Sequence, residues 1–261
     1  MDSANPPVPP LPPHEILEEI GRGRFAVVYR AREASNGRVV ALKVLTADAF
    51  TGEAAERFLA DARAVACLRL PYIIPLYAVG LHDGRPACTM QLAAKGRLSE
   101  RLGGFRNPRA AADLVEKLAR GVAAAHGHAL LHGDLKSSGV FFDEHDQPMM
   151  SEFGLSPATL SAEPGADVRA LGAMLHELLT GRPHAEGVRP CRLRPDLALE
   201  LEAIVLRCLH KRPEARYPSA RALADDLERW LHAEPTVARP ETWAQRLLRR
   251  VARALGGDTI S

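Results

Sequence analysis

Lys43 brings a charge into the apolar run Ala41-Leu42-Lys43-Val44. An ammonium group in a buried strand is costly unless it meets an anion, and a phosphate oxygen or a helix carboxylate would serve. Upstream, Gly21-Arg22-Gly23-Arg24-Phe25-Ala26-Val27-Val28-Tyr29 places a glycine loop between two strand-like runs, with Ala26 where a third glycine would stand. Glycine matters there because backbone N–H groups reach phosphate oxygens only where no Cβ intrudes. Alone, the loop reads equally as a tight hairpin turn. The lysine on the following strand tips the pair toward phosphate binding.

Further stretches follow in order: Arg57-Phe58-Leu59-Ala60-Asp61-Ala62-Arg63, then Leu131-His132-Gly133-Asp134-Leu135-Lys136-Ser137-Ser138-Gly139-Val140, then Glu152-Phe153-Gly154. With the glycine loop and Lys43, this order resembles the protein-kinase family: glycine loop, strand lysine, helix acid, catalytic loop and metal-binding triplet. The resemblance implies ATP as the nucleotide, with contacts at Gly21, Gly23, Val28, Ala41, Lys43, Asp61, Met90, Gln91, Ala93 and Phe141. Asp61 would pair with Lys43, Met90 would gate the adenine pocket, and Gln91 to Ala93 would read adenine through the backbone. Asp134 would orient the attacking hydroxyl and accept its proton, and Lys136 would stabilise charge on the transferred phosphoryl group. Arg212-Pro213-Glu214-Ala215-Arg216-Tyr217-Pro218-Ser219-Ala220 and Asp225-Asp226-Leu227-Glu228-Arg229-Trp230-Leu231 resemble the end of bacterial transmembrane Ser/Thr kinase domains, so the likeness spans residues 15–240.

The departures from that pattern are chemical. Gly139 replaces the family's metal-binding Asn and offers no side-chain oxygen. Glu152 replaces the Asp of the metal-binding triplet and sets its carboxylate one methylene farther out, a displacement Mg²⁺ tolerates poorly. Gly133 replaces the Arg that pairs with a phosphorylated activation loop. Asp167-Val168-Arg169-Ala170-Leu171-Gly172 resembles the helix whose Asp braces the catalytic loop, yet only the twelve residues 155–166 separate Gly154 from Asp167. Ala162-Glu163-Pro164 is then a remnant of the family's anchor, and Arg216 loses the Glu that its counterpart pairs with. The expectation is a pseudokinase that retains an ATP site, with binding of Mg²⁺ or Mn²⁺ weak or lost, and acts through a protein partner. An active phosphotransferase using Asp134, Lys136 and Glu152 is the alternative. His-Gly-Asp without a long activation segment also resembles small-molecule kinases of the aminoglycoside type, although those keep the Asn that Gly139 replaces.

Such a site needs a scaffold. From His14 to Leu92, β-like runs such as Phe25–Ala31 and Val39–Leu45 are separated by Asn36-Gly37, a hairpin signal. One helical stretch, Ala54–Leu70, interrupts them with an apolar face of Phe58, Leu59, Ala62, Val65, Ala66 and Leu68. From Leu98 onward the spacing predicts helices over Ala110–His126, Val168–Thr180 and Leu199–Leu209, with a short β-like patch at Gly139–Phe142 and Pro148–Ser151. Gly181 and Pro183 mark a helix stop. The resulting fold class is α+β and bilobal: a Pro-rich tail at 1–13, a β-rich small lobe at 14–92, a helical large lobe at 93–232, and a linker with a basic helix at 233–261.

Composition excludes other classes. Thirty-four Lys and Arg against 32 Asp and Glu leave a net charge of +2, too small to attract nucleic acid. Cys67, Cys88, Cys191 and Cys208 are scattered without metal or redox spacing, as in a reducing cytosol. Met1 to Asn5 lacks the basic, apolar pattern of a secretory signal, and no apolar run is long enough for a membrane span, so a cytoplasmic protein is expected. Pro6 to Pro13 favours extended polyproline, a spacer or a motif for a Pro-binding partner. Trp243 to Leu255 alternates Trp243, Leu247, Leu248, Val251 and Leu255 with Arg246, Arg249, Arg250 and Arg253. This basic amphipathic helix suits either an anionic membrane surface, a partner, or the large lobe itself.

Overall fold

A computed structural model describes residues 10–23, 25–46, 52–151 and 163–240. Five antiparallel strands form the small lobe: β1 (His14–Arg22), β2 (Ala26–Glu33), β3 (Val39–Leu45), β4 (Leu76–His82) and β5 (Arg85–Met90), in the order β1-β2-β3-β5-β4. Helix α1 (Glu53–Ala66) crosses between β3 and β4. The β2–β3 hairpin turns where Asn36-Gly37 predicts it: Gly37 adopts φ +72° and Asn36 Oδ1 accepts the Arg38 N–H at 2.8 Å.

Strand alternation divides the lobe into two cores. Ala41 and Leu45 of β3, with Ala26, Cys88 and Met90, face α1 through Phe58 and Ala62. Val40, Leu42 and Val44 point the other way, against Ala31, Ala87, Tyr29 and Tyr77. Leu11 packs on that second face, close over Gly80, and Pro13 O accepts the Ala34 N–H at 3.0 Å. The end of the Pro-rich stretch is therefore docked on the sheet and is no free spacer, because Leu11 is an apolar residue with a groove over a glycine to fill.

The large lobe contains α2 (Leu98–Arg101), α3 (Pro108–His126), a two-stranded β6 (Val140–Phe142) and β7 (Pro148–Met150), then α4 (Pro164–Thr180), α5 (Pro190–Leu193), α6 (Leu199–Cys208) and α7 (Ala220–Leu231). Leu118, Val122, Leu171, Leu175, Leu201 and Leu227 join one continuous core from α3, α4, α6 and α7. Asn107 caps α3 through its side chain, with Pro108 at the first turn, and Gly181 ends α4 in the left-handed region at φ +70°. The lobe extends past the boundary expected at 232. Asp226, fully buried, accepts the Val237 and Ala238 N–H groups at 2.6 and 2.9 Å, and Ala238 belongs to the core.

Backbone pairing joins the lobes. The Ile74 N–H reaches Met150 O at 2.9 Å, and the Met150 N–H reaches Tyr72 O at 2.8 Å. Helix α3 approaches this seam closely enough that a Cβ at Gly121 would stand 2.9 Å from Pro71 O.

Candidate functional site

Register places the small-lobe site residues together. Across the sheet Gly21 lies opposite Val28, Val28 opposite Lys43, Lys43 opposite Cys88, and Ala41 opposite Met90. Directly opposed residues share a face, as do residues two apart. Gly21, Val28, Ala41, Lys43 and Met90 therefore present to one side of the sheet. Ala41 and Met90 belong to the apolar cluster there, and Val28, Leu92, Ala93 and Phe141 pack against it. Phe141 comes from β6 of the large lobe, so the cluster spans both lobes. Apolar strand residues on one side and an aromatic ring on the other are the kind of lining that suits a purine.

Lys43 is 8% exposed within this face. Asp61 lies elsewhere: its side chain is 46% exposed, and the ion pair it makes is with Arg57, one turn earlier on α1, at 3.9 Å. The shorter aspartate follows its own helix surface, which corrects the expected Asp61–Lys43 pair. Beyond Met90, the Gln91 N–H is engaged by Pro75 O at 3.1 Å. Gly23 closes the β1–β2 turn through its N–H to Ala26 O at 2.9 Å. A Cβ at Gly21 would lie 3.2 Å from the Arg97 guanidinium, which brings that side chain against the glycine loop.

The catalytic-loop stretch is held from below. Asp167, 1% exposed on α4, accepts the His132 and Gly133 N–H groups at 2.9 Å each and lies 2.8 Å from His126 Nε2. Burial alone would raise its carboxyl, but the bonds from His126 and the two amides outweigh it and hold it below the ordinary aspartate value. Gly133 has φ +76°, a left-handed backbone that glycine adopts without a Cβ penalty. On the loop so positioned, Lys136 Nζ donates to Asp134 Oδ2 at 2.6 Å, both side chains about half exposed.

The metal side of the site is poorer. The carbonyl of Gly139 already accepts the Ser151 N–H at 2.9 Å and the Ser151 hydroxyl at 3.2 Å. Among the described residues, no three His, Cys, Asp or Glu side chains could hold a metal ion together. Glu152-Phe153-Gly154 and Trp243–Leu255 lie outside the described residues. Arg216 has found new acceptors: His210 O at 2.8 Å, Gly165 O at 3.0 Å and Lys211 O at 3.3 Å. Three carbonyls thus do the work expected of a lost glutamate.

Two residues at the site carry no local signature. His126 ends α3 and reaches Asp167, 41 residues later, only through the helix packing. Arg97 follows a glycine and looks like ordinary surface charge, yet lies between the lobes.

Known proteins share this architecture. The Mycobacterium tuberculosis PknI kinase domain superposes with a TM-score of 0.70 over 82% of this chain and 95% of that one, at 22% identity, which is a likeness of fold. Serine/threonine-protein kinase PknH of Mycobacterium bovis is 29% identical over 81% of this chain, and PknK of the same organism 32% identical over 81%. Serine/threonine-protein kinase PrkC of Bacillus subtilis is 27% identical over 82%. The chain spans 43%, 23% and 40% of the lengths of these three relatives. Residues 14–164, more than half of the 261, match the protein kinase domain. The chain belongs to the protein kinase family.

Proposed function

We propose that this chain is a pseudokinase: a kinase-fold signalling module that binds an adenine nucleotide in the interlobal slot, transfers its phosphate weakly or not at all, and acts by docking a protein partner. Gly139 carries the reading. The position that should supply a metal ligand has no side-chain oxygen, and its carbonyl is committed to Ser151. Phosphoryl transfer relies chiefly on positioning and charge neutralisation by metal, so this loss removes much of what the fold contributes to rate. The exchange of Asp for Glu152 and the short 155–166 segment act in the same direction, the second by removing the platform for a protein substrate.

The apolar slot supports retained nucleotide binding. Val28, Ala41, Met90, Ala93 and Phe141 would enclose the purine, with Lys43 and the glycine loop turned toward the phosphates. One observation favours a second reading, an active Ser/Thr or small-molecule phosphotransferase. Lys136 Nζ donates to Asp134 Oδ2 at 2.6 Å on a loop braced by Asp167, so the two groups the family uses for transfer are present side by side.

Thermal-shift titration with ATP, with and without Mg²⁺ or Mn²⁺, separates the readings when paired with a γ-phosphate transfer assay. The pseudokinase reading expects stabilisation by ATP that metal barely changes, and no transfer. Metal-dependent stabilisation with transfer that disappears in Asp134→Ala would establish the enzyme instead.

A further inference from the structure

Arg97 is held in place by its backbone while its side chain points into the space between the lobes. Its N–H donates to Glu100 Oε2 at 3.2 Å, and the residue forms an antiparallel bridge with Phe141. Leu98, the next residue, is fully buried. Gly96 before it turns through φ +74° beneath the Glu100 carboxylate. The guanidinium, however, has no carboxylate partner among the described residues. It sits 5.3 Å over the Phe141 ring, and its terminal nitrogen lies 3.2 Å from where a Cβ at Gly21 would be. Phe141 is the aromatic floor of the slot and Gly21 belongs to the strand that roofs it. One side chain therefore reaches both Phe141 of the large lobe and Gly21 of the small lobe.

We propose that Arg97 is a built-in occupant of the nucleotide slot, a latch that an incoming nucleoside must displace from Phe141. The proposal rests on reading the slot as a nucleotide site. A guanidinium over a phenyl ring is an interaction of modest strength when partly exposed. A latch held so lightly lowers affinity by the fraction of time it is shut and still opens without unfolding the lobe. Because the seat involves the ring face, it excludes the base or sugar of any nucleoside, charged or not.

The test compares the full chain with Arg97→Ala, using adenosine and ATP as separate probes in calorimetric titrations. Both are expected to bind the variant about 3- to 10-fold more tightly, the factor a cation–π contact of this kind would withhold. A second readout needs no nucleotide: 4-fluorophenylalanine at position 141 reports the guanidinium through its ¹⁹F resonance, which is expected to shift in Arg97→Ala. An unchanged resonance would overturn the proposal, as would weaker ATP binding with unchanged adenosine binding, the pattern of an arginine that grips phosphate. A shifted resonance with no nucleoside bound by either protein would leave Arg97 on the ring and remove the nucleotide reading instead.

Discussion

At the scale of single residues, the chemistry turns on which atoms the backbone can present. Gly139 and Gly133 stand where the kinase pattern has Asn and Arg, and their effects differ. At Gly133 the left-handed backbone makes glycine the comfortable choice, and an arginine restored there would carry a conformational penalty of about 1–2 kcal/mol. At Gly139 a side chain has room, since a Cβ would meet only Ser151 Oγ at an ordinary 3.8 Å. Gly139→Asn combined with Glu152→Asp is accordingly expected to fold and to gain a metal-dependent component of ATP binding, on the order of tenfold in Kd with Mg²⁺, worth roughly 1.4 kcal/mol. Titrations with and without Mg²⁺ check this, and equal affinities in the two would show that the lost ligands are not what weakens the site. Both glycines are legible in the sequence. That one is conformationally favoured and the other merely vacant is a property of the folded backbone.

Elements decide whether the legible residues meet. β-like runs set off by Asn36-Gly37 predict β2 and β3, and Val39–Leu45 is observed with the bounds expected. Alternation alone does not tell which neighbours lie opposite, and only the pairing of β3 with both β2 and β5 sets Val28, Lys43 and Cys88 in one row. Helix α1 ends at Ala66, short of the Leu70 its apolar pattern allows, because the chain must turn there to carry Ile74 to Met150 at the seam between lobes. Helix α3 fixes that seam from the other side through Gly121, which faces Pro71 O and Met150 Cε. Gly121→Ala is expected to lose about 1–3 kcal/mol despite the better helix propensity of alanine, since the new methyl would press on backbone that cannot move aside. Chemical denaturation would measure it, and a gain in stability would show that the seam is pliant.

Across the whole molecule, buried and partly buried histidines and carboxylates in both lobes shift in one direction. Burial holds His14, His176 and His184 below the ordinary histidine value of 6.5. For Glu33, Asp167 and Glu202 burial opposes ionisation, yet hydrogen bonds from Arg38, from His126 with two amides, and from Arg189 prevail and lower each carboxyl. In every case the unfolded chain binds the proton at higher pH than the folded one, so stability is complete above the ordinary value and is lost as pH falls toward the folded one. Melting temperature is expected to decline in two stages, first below about pH 6.5 from the histidines and then below about pH 4.5 from the carboxylates. A curve level from pH 7 to 5 would contradict the first stage. Asp167→Ala should cost about 3 kcal/mol or more at neutral pH, by leaving His126 and two amides without their acceptor.

Order along the chain was enough to indicate the family and the two lobes, because strands, helix faces and glycine turns are local properties of consecutive residues. Tertiary structure alone decided that Arg216 reaches Gly165 O, that Val237 and Ala238 belong to the large lobe, and that Arg97 lies over Phe141. In the helical relations the reason is reach. A side chain on a helix takes the nearest partner of the right charge or polarity, and which group is nearest is set by how elements pack, across separations that no window of sequence contains.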